Sequence, residues 1–147
     1  MNLVLDASMA LAWLLARAEV DEAALAVEAL ALVAQHGAEV PSLWFLEIAN
    51  TLLVLERARR VGNRDAEVFL GDLGRLAIRQ DAAPVGGRQA EILALARAHG
   101  LTAYDACYLE LALRTGSTLA TFDRRLAAAC RQAGVPVLGD AGLPGLA

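Results

Sequence analysis

Lysine is absent: all 13 cationic side chains are arginine. That excludes chemistry needing an ammonium group, including Schiff bases, lysine bases and Walker-type phosphate loops. Cysteine and histidine are scarce, with Cys107, Cys130, His36 and His99 alone. No CxxC or HxxxH spacing occurs among them, which argues against a zinc site. Two isolated cysteines in a chain of 147 residues suit a reducing compartment rather than a disulfide scaffold. No apolar run reaches membrane-spanning length without a charge. The first six residues hold no basic segment and end on Asp6, unlike a signal peptide. The expectation is a cytoplasmic protein with no membrane partner.

What is present is aliphatic. Hydrophobic residues make up 57% of the chain, only 5% is aromatic, and mean hydropathy is +0.45. A chain of this size can bury one core, so residues 1–147 are expected to form one domain. The net charge of −4 means that any nucleic acid must meet a local basic patch.

The pattern predicts short buried strands separated by helices. A strand is expected over 2–5 and a helix over 9–16. Helices follow over 21–35, 43–60 and 64–79, with a short extended piece at 39–41 between the first two. A strand is expected over 80–85, then helices over 88–99 and 102–114. Glycines at 37, 62, 100 and 116 stop four of these helices. Strands over 117–121 and 136–138 flank a last helix over 123–133. Strands alternating with helices in this way indicate an α/β fold with a parallel central sheet.

Four acids stand in unusual places. Asp6 and Asp123 each follow a predicted strand. Either could cap the next helix, yet open α/β sheets also bind ligands beyond the carboxyl ends of their strands. Asp105 lies in the first turn of a helix, where Thr102 and Asp105 match the spacing of a capping box. Glu47 interrupts an otherwise apolar helix face and shares its narrow polar stripe with Asn50 and Thr51. A carboxylate near a core is costly unless it is paired or binds a metal. If the strands before Asp6 and Asp123 are neighbours, these acids meet. Carboxylates sharing a pocket repel one another, and a divalent cation removes the conflict. Oxygen donors favour Mg²⁺ or Mn²⁺, and such an ion suits phosphoryl chemistry.

The segments Val4-Leu5-Asp6-Ala7-Ser8, Leu46-Glu47-Ile48-Ala49-Asn50, Leu101-Thr102-Ala103-Tyr104-Asp105-Ala106-Cys107-Tyr108 and Leu119-Ala120-Thr121-Phe122-Asp123-Arg124-Arg125 occur in this order. Together they resemble the PIN-domain family, most closely its VapC-type toxin ribonucleases, over nearly the whole chain. The resemblance implies a three-layer α/β/α sandwich around a parallel sheet. It implies a catalytic, metal-holding cluster of Asp6, Glu47, Asp105 and Asp123, supported by Ser8, Thr121 and Asn50. It further implies Mg²⁺ (or Mn²⁺), endonucleolytic cleavage of RNA, a homodimer, and a small cognate antitoxin that inserts an arginine into the acidic pocket. Where some relatives carry a further acid after the fourth, this chain has Arg124 and Arg125. RNA contact must come from arginine, with Arg57, Arg59, Arg60, Arg64 and Arg124 as candidates. A homodimer is also expected on the ground that Leu25, Leu30, Leu32, Val33, Trp44 and Phe45 exceed what one small core buries.

Two rival readings belong to other classes. A PIN-like module could bind RNA or protein without cleaving, although all four acids are present. An aspartyl-phosphate enzyme could use Asp6, but Ser8 stands where such enzymes place a second acid, and no lysine is available.

Overall fold

The computed structural model describes residues 1–142. Four parallel strands form one sheet in the order β3-β2-β1-β4, made of β1 (Leu3–Leu5), β2 (Ala38–Val40), β3 (Ile78–Gln80) and β4 (Thr118–Ala120). Every residue of β1 and β4 is buried, so helices cover both faces of the sheet. The result is the expected three-layer α/β sandwich. Two crossovers carry the chain from β1 out to β2 and β3. A third returns it to β4 on the other side of β1. The space between the carboxyl ends of β1 and β4 is therefore the topological switch point of the sheet.

The helices are α1 (Ala7–Leu11), α2 (Val20–His36), α3 (Leu43–Arg57), α4 (Asn63–Leu73), α5 (Gln89–His99), α6 (Ala103–Thr115) and α7 (Arg124–Gln132). No helix among the described residues is long and apolar enough to cross a membrane.

Several boundaries differ from the sequence reading. The first helix spans Ala7–Leu11 rather than 9–16 and gives way to turns. α3 stops at Arg57 rather than at 60. Arg59 adopts a left-handed φ of 57°, and the Arg60 N–H closes the helix on the Leu55 carbonyl at 2.9 Å. α4 ends at Leu73, and β3 takes Ile78–Gln80 instead of 80–85, because Ala38, Glu39 and Val40 register against Ile78, Arg79 and Gln80. The predicted last strand is reduced to one bridge, Leu119 to Val137. The ground given for a homodimer also fails in part. Leu32, Val33 and Trp44 lie in the core, while Leu30 and Phe45 remain well exposed.

Gly37 shows why α2 turns into β2 where it does. Its φ is +73°, and an added Cβ would lie 2.6 Å from the Ala77 carbonyl oxygen. Only glycine passes this point without strain.

Candidate active site

The register of the two central strands builds the site. Leu5 pairs with Ala120, so the residues that follow, Asp6 and Thr121, come out side by side at the switch point. The Asp6 N–H still bonds to the Ala120 carbonyl at 3.0 Å, which fixes the backbone from which the carboxylate projects.

Asp6 occupies the N-cap position of α1, but its side chain makes no cap bond. Its Oδ2 instead accepts the hydroxyls of Ser8 and Thr121, each at 2.6 Å. Those hydroxyls are themselves held, because Ser8 Oγ accepts the Phe122 N–H and Thr121 Oγ1 accepts the Asp123 N–H, both at 2.9 Å. The two strand ends are thus laced together around one buried carboxylate. Burial pushes the Asp6 pKa above its ordinary value, and nearby Asp123 adds to the rise. The two hydroxyls and the Ala7 N–H pull the other way without cancelling it.

Glu47 projects from α3 toward the same place. Its Oε1 accepts the Tyr108 hydroxyl at 2.5 Å. Burial raises its pKa, and Asp6 and Asp105 raise it further, against the Tyr108 hydrogen bond. Asp105 sits in the first turn of α6. The backbone half of its capping box is formed, because the Asp105 N–H donates to Thr102 Oγ1 at 3.1 Å. The carboxylate remains free of side-chain hydrogen bonds among the described residues. Burial, then Asp123 and Asp6, push its pKa up. Asp123 is a true N-cap of α7, its Oδ1 accepting the Leu126 N–H at 2.9 Å.

Asp123 thus acts electrostatically on Asp6 and Asp105, and Asp6 and Asp105 act on Glu47. The donor set is all oxygen, which suits a hard cation such as Mg²⁺ or Mn²⁺. Among the described residues, no three His, Cys, Asp or Glu side chains are gathered so that they could hold an ion by themselves. Mg²⁺ is commonly held by one or two carboxylates, with water and substrate phosphate completing the shell. The residues fit an ion held in that way.

The supporting residues divide. Ser8 and Thr121 are at the centre. Asn50 is exposed on α3 and makes no side-chain hydrogen bond among the described residues. Of the arginines expected to meet RNA, Arg60 and Arg124 line a cleft of about 750 Å³ that Ser8 also lines. Arg57, Arg59 and Arg64 are exposed outside its lining.

Two residues escaped the sequence reading. Arg17 shares the cleft with Arg60 and Arg124, pairs with Glu22 at 2.7 Å and stacks over the Phe122 ring. It lies in the irregular segment between α1 and α2, with no periodic signal to mark it. Tyr108 was legible, being one helical turn beyond Asp105 and thus on its face. Its partner on α3 was not.

A family model described as the PIN domain matches residues 3–132. The crystal structure of PAE2754 from Pyrobaculum aerophilum is similar with a TM-score of 0.63 and 22% identity, over 88% of this chain and 84% of that one. The crystal structure of FitAcB from Neisseria gonorrhoeae is similar with a TM-score of 0.57 and 21% identity, over 92% of this chain and 96% of that one. No curated protein matches. At these identities the two structures speak for the fold alone. The family model spans the segments that carry Asp6, Glu47, Asp105 and Asp123, and on that match the chain belongs to the PIN-domain family.

Proposed function

We propose that this PIN domain is a Mg²⁺-dependent endoribonuclease, the VapC-type toxin of a toxin–antitoxin pair. One observation carries the reading. Asp6 is buried at the switch point of the sheet, hydroxyls of Ser8, Thr121 and Tyr108 donate to Asp6 and Glu47, and Glu47, Asp105 and Asp123 stand close enough to repel it or one another. A stable protein gains nothing from such mutual repulsion, whereas a bound cation turns it into affinity.

Asp6 and Asp105 would hold the ion, with Glu47 and Asp123 completing the cluster. The ion, when bound, activates water and neutralises charge developing on the phosphate. Ser8 and Thr121 favour the ionised form of Asp6 and fix its direction. Glu47, with one oxygen held by Tyr108, orients the attacking water with the other. Arg17, Arg60 and Arg124 hold the RNA backbone along the cleft that Ser8 also lines. Leu11, Ala12, Leu15 and Leu55 give its lining an apolar part, which fits an antitoxin segment whose arginine reaches the acids. A homodimer in the cytoplasm belongs to the same reading.

Asp6→Asn keeps the side-chain shape and removes the charge. Cleavage of single-stranded RNA in Mg²⁺ should fall by about 10³-fold or more while the circular dichroism spectrum is retained. Cleavage at the parent rate would refute the assignment.

A second reading rests on the ungathered carboxylates, namely a PIN module that binds without cleaving. Calorimetric titration with Mg²⁺ separates the two. An inactive module gives no heat that depends on Asp6.

A further inference from the structure

Arg17, Arg60 and Arg124 line the cleft beside Ser8, and two acids, Glu19 and Glu22, line it with them. Of the three arginines, Arg17 alone is in an ion pair among the described residues: its Nε donates to Glu22 Oε2 at 2.7 Å. The same guanidinium lies over the Phe122 ring, 4.5 Å from its centroid. Phe122 links Thr121 to Asp123, and its N–H donates to Ser8 Oγ at 2.9 Å. Arg17 is therefore seated against the chain that leaves β4, between two residues of the site. A guanidinium makes its hydrogen bonds in its own plane and stacks through its faces. Its edge partner can thus be exchanged while the stack on Phe122 stays. A carboxylate and a phosphate offer an arginine the same thing, a pair of anionic oxygens at bidentate spacing.

We propose that Glu22 is a placeholder for RNA phosphate, occupying Arg17 until a strand in the cleft displaces it. The inference rests on the RNA-binding reading above and adds a residue which that reading does not use. The Arg17 and Glu22 side chains are 38% and 25% exposed, so water reaches the pair. A pair in that setting is worth little, and a phosphate can take it apart. The exchange still subtracts from affinity, because Glu22 must give up Arg17 and then stands as a negative charge beside the phosphate. An anion that meets Arg60 or Arg124 alone finds Arg17 already neutralised and gains nothing from it. Glu22 is a positioning residue: it acts on RNA through Arg17.

Glu22→Gln keeps the side-chain shape and deletes the charge. The parent and the variant are each titrated with a short labelled single-stranded RNA by fluorescence anisotropy, in EDTA so that no strand is cut, over a series of KCl concentrations. Affinity at low salt should rise about fivefold in the variant. The salt slope should steepen by about one, as for one more phosphate contact. Both gains should vanish when the same substitution is made in Arg17→Ala protein. A weaker complex would mean that Glu22 aligns Arg17 for RNA, and an unchanged one that the pair plays no part. Either result overturns the proposal. Equal gains in the Arg17→Ala background would assign them to plain removal of a negative charge, and the proposal falls with that result too. In these cases the RNA-binding reading stands, because the parent binds. A parent that binds no RNA overturns both.

Discussion

At the scale of single residues, the site is governed by hydroxyls acting on acids. A buried carboxylate without donors is costly, and the hydroxyls of Ser8 and Thr121 offset part of that cost for the ionised form of Asp6. Thr121→Val keeps the β-branched shape that follows β4 and deletes one charge-assisted hydrogen bond. Stability in urea at neutral pH should drop by roughly 1–3 kcal/mol. The loss should shrink on acidification, because a protonated Asp6 no longer needs the donor. A loss independent of pH would mean that the threonine matters only for packing. The cysteines take no part in this chemistry. Both are free and buried, and burial raises the Cys107 thiol and pushes Cys130 up to about 12, so neither is a nucleophile at neutral pH.

At the scale of elements, α6, which carries Asp105, is locked by ion pairs away from the cluster. Glu110 on α6 is buried and accepts from Arg88, which precedes α5, and from Arg114 one turn along, at 2.9 Å. Arg114 also donates to Asp81 after β3, at 2.5 Å. Burial alone would raise the pKa of Glu110 and of Asp81. The hydrogen bonds from the arginines outweigh it, so both are lowered. Carboxylates lowered on folding stabilise the protein above their unfolded values, and this contribution disappears as pH falls through the folded values. Glu110→Ala leaves two half-buried guanidinium groups without that partner. It should cost about 2–3 kcal/mol at neutral pH in chemical unfolding, and the difference should fade below about pH 4. A cost that persisted in strong acid would assign the effect to packing instead. None of this network was legible in the sequence. Glu110 and Arg114 stand at an i, i+4 spacing, but that reads as a wet helix face, and only the packing of α5 against α6 buries it.

At the scale of the whole molecule, one helix aligns the two regions that the proposed function uses. Glu47, Thr51 and Leu55 succeed one another at four-residue steps along one side of α3. Glu47 belongs to the acid cluster, while Thr51 and Leu55 line the cleft with Arg17, Arg60 and Arg124. Cleft and cluster are therefore neighbours, roughly 6 Å apart per helical step. Arg60 and Arg124 form no ion pair among the described residues, whereas Arg17 is already paired with Glu22. Replacing Arg60 or Arg124 by Ala should weaken binding to single-stranded RNA and lower the salt slope of affinity by about one in each case. Arg57→Ala, outside the cleft, should leave the slope unchanged. Equal slopes for all three variants would place the RNA elsewhere.

The sequence by itself determined the alternation of short apolar strands with helices, the parallel sheet and the four acids. The elements are written in local pattern, since a buried strand is a short apolar run and a turn has its glycine, whereas the acids stood out only through the ordered motifs together. The hydrophobic surplus offered for a dimer was misread in part, at Leu32, Val33 and Trp44, because composition does not say which side chains face the core. Only the tertiary structure decided that Asp123 caps a helix while Asp6 does not. It also decided that Tyr108 holds Glu47, and that Arg17 joins Arg60 and Arg124. Those contacts join residues 115 positions apart in one case and 61 in another. No helical or strand period spans such distances, and the pairing of β1 with β4 and the packing of α6 against its neighbours create them.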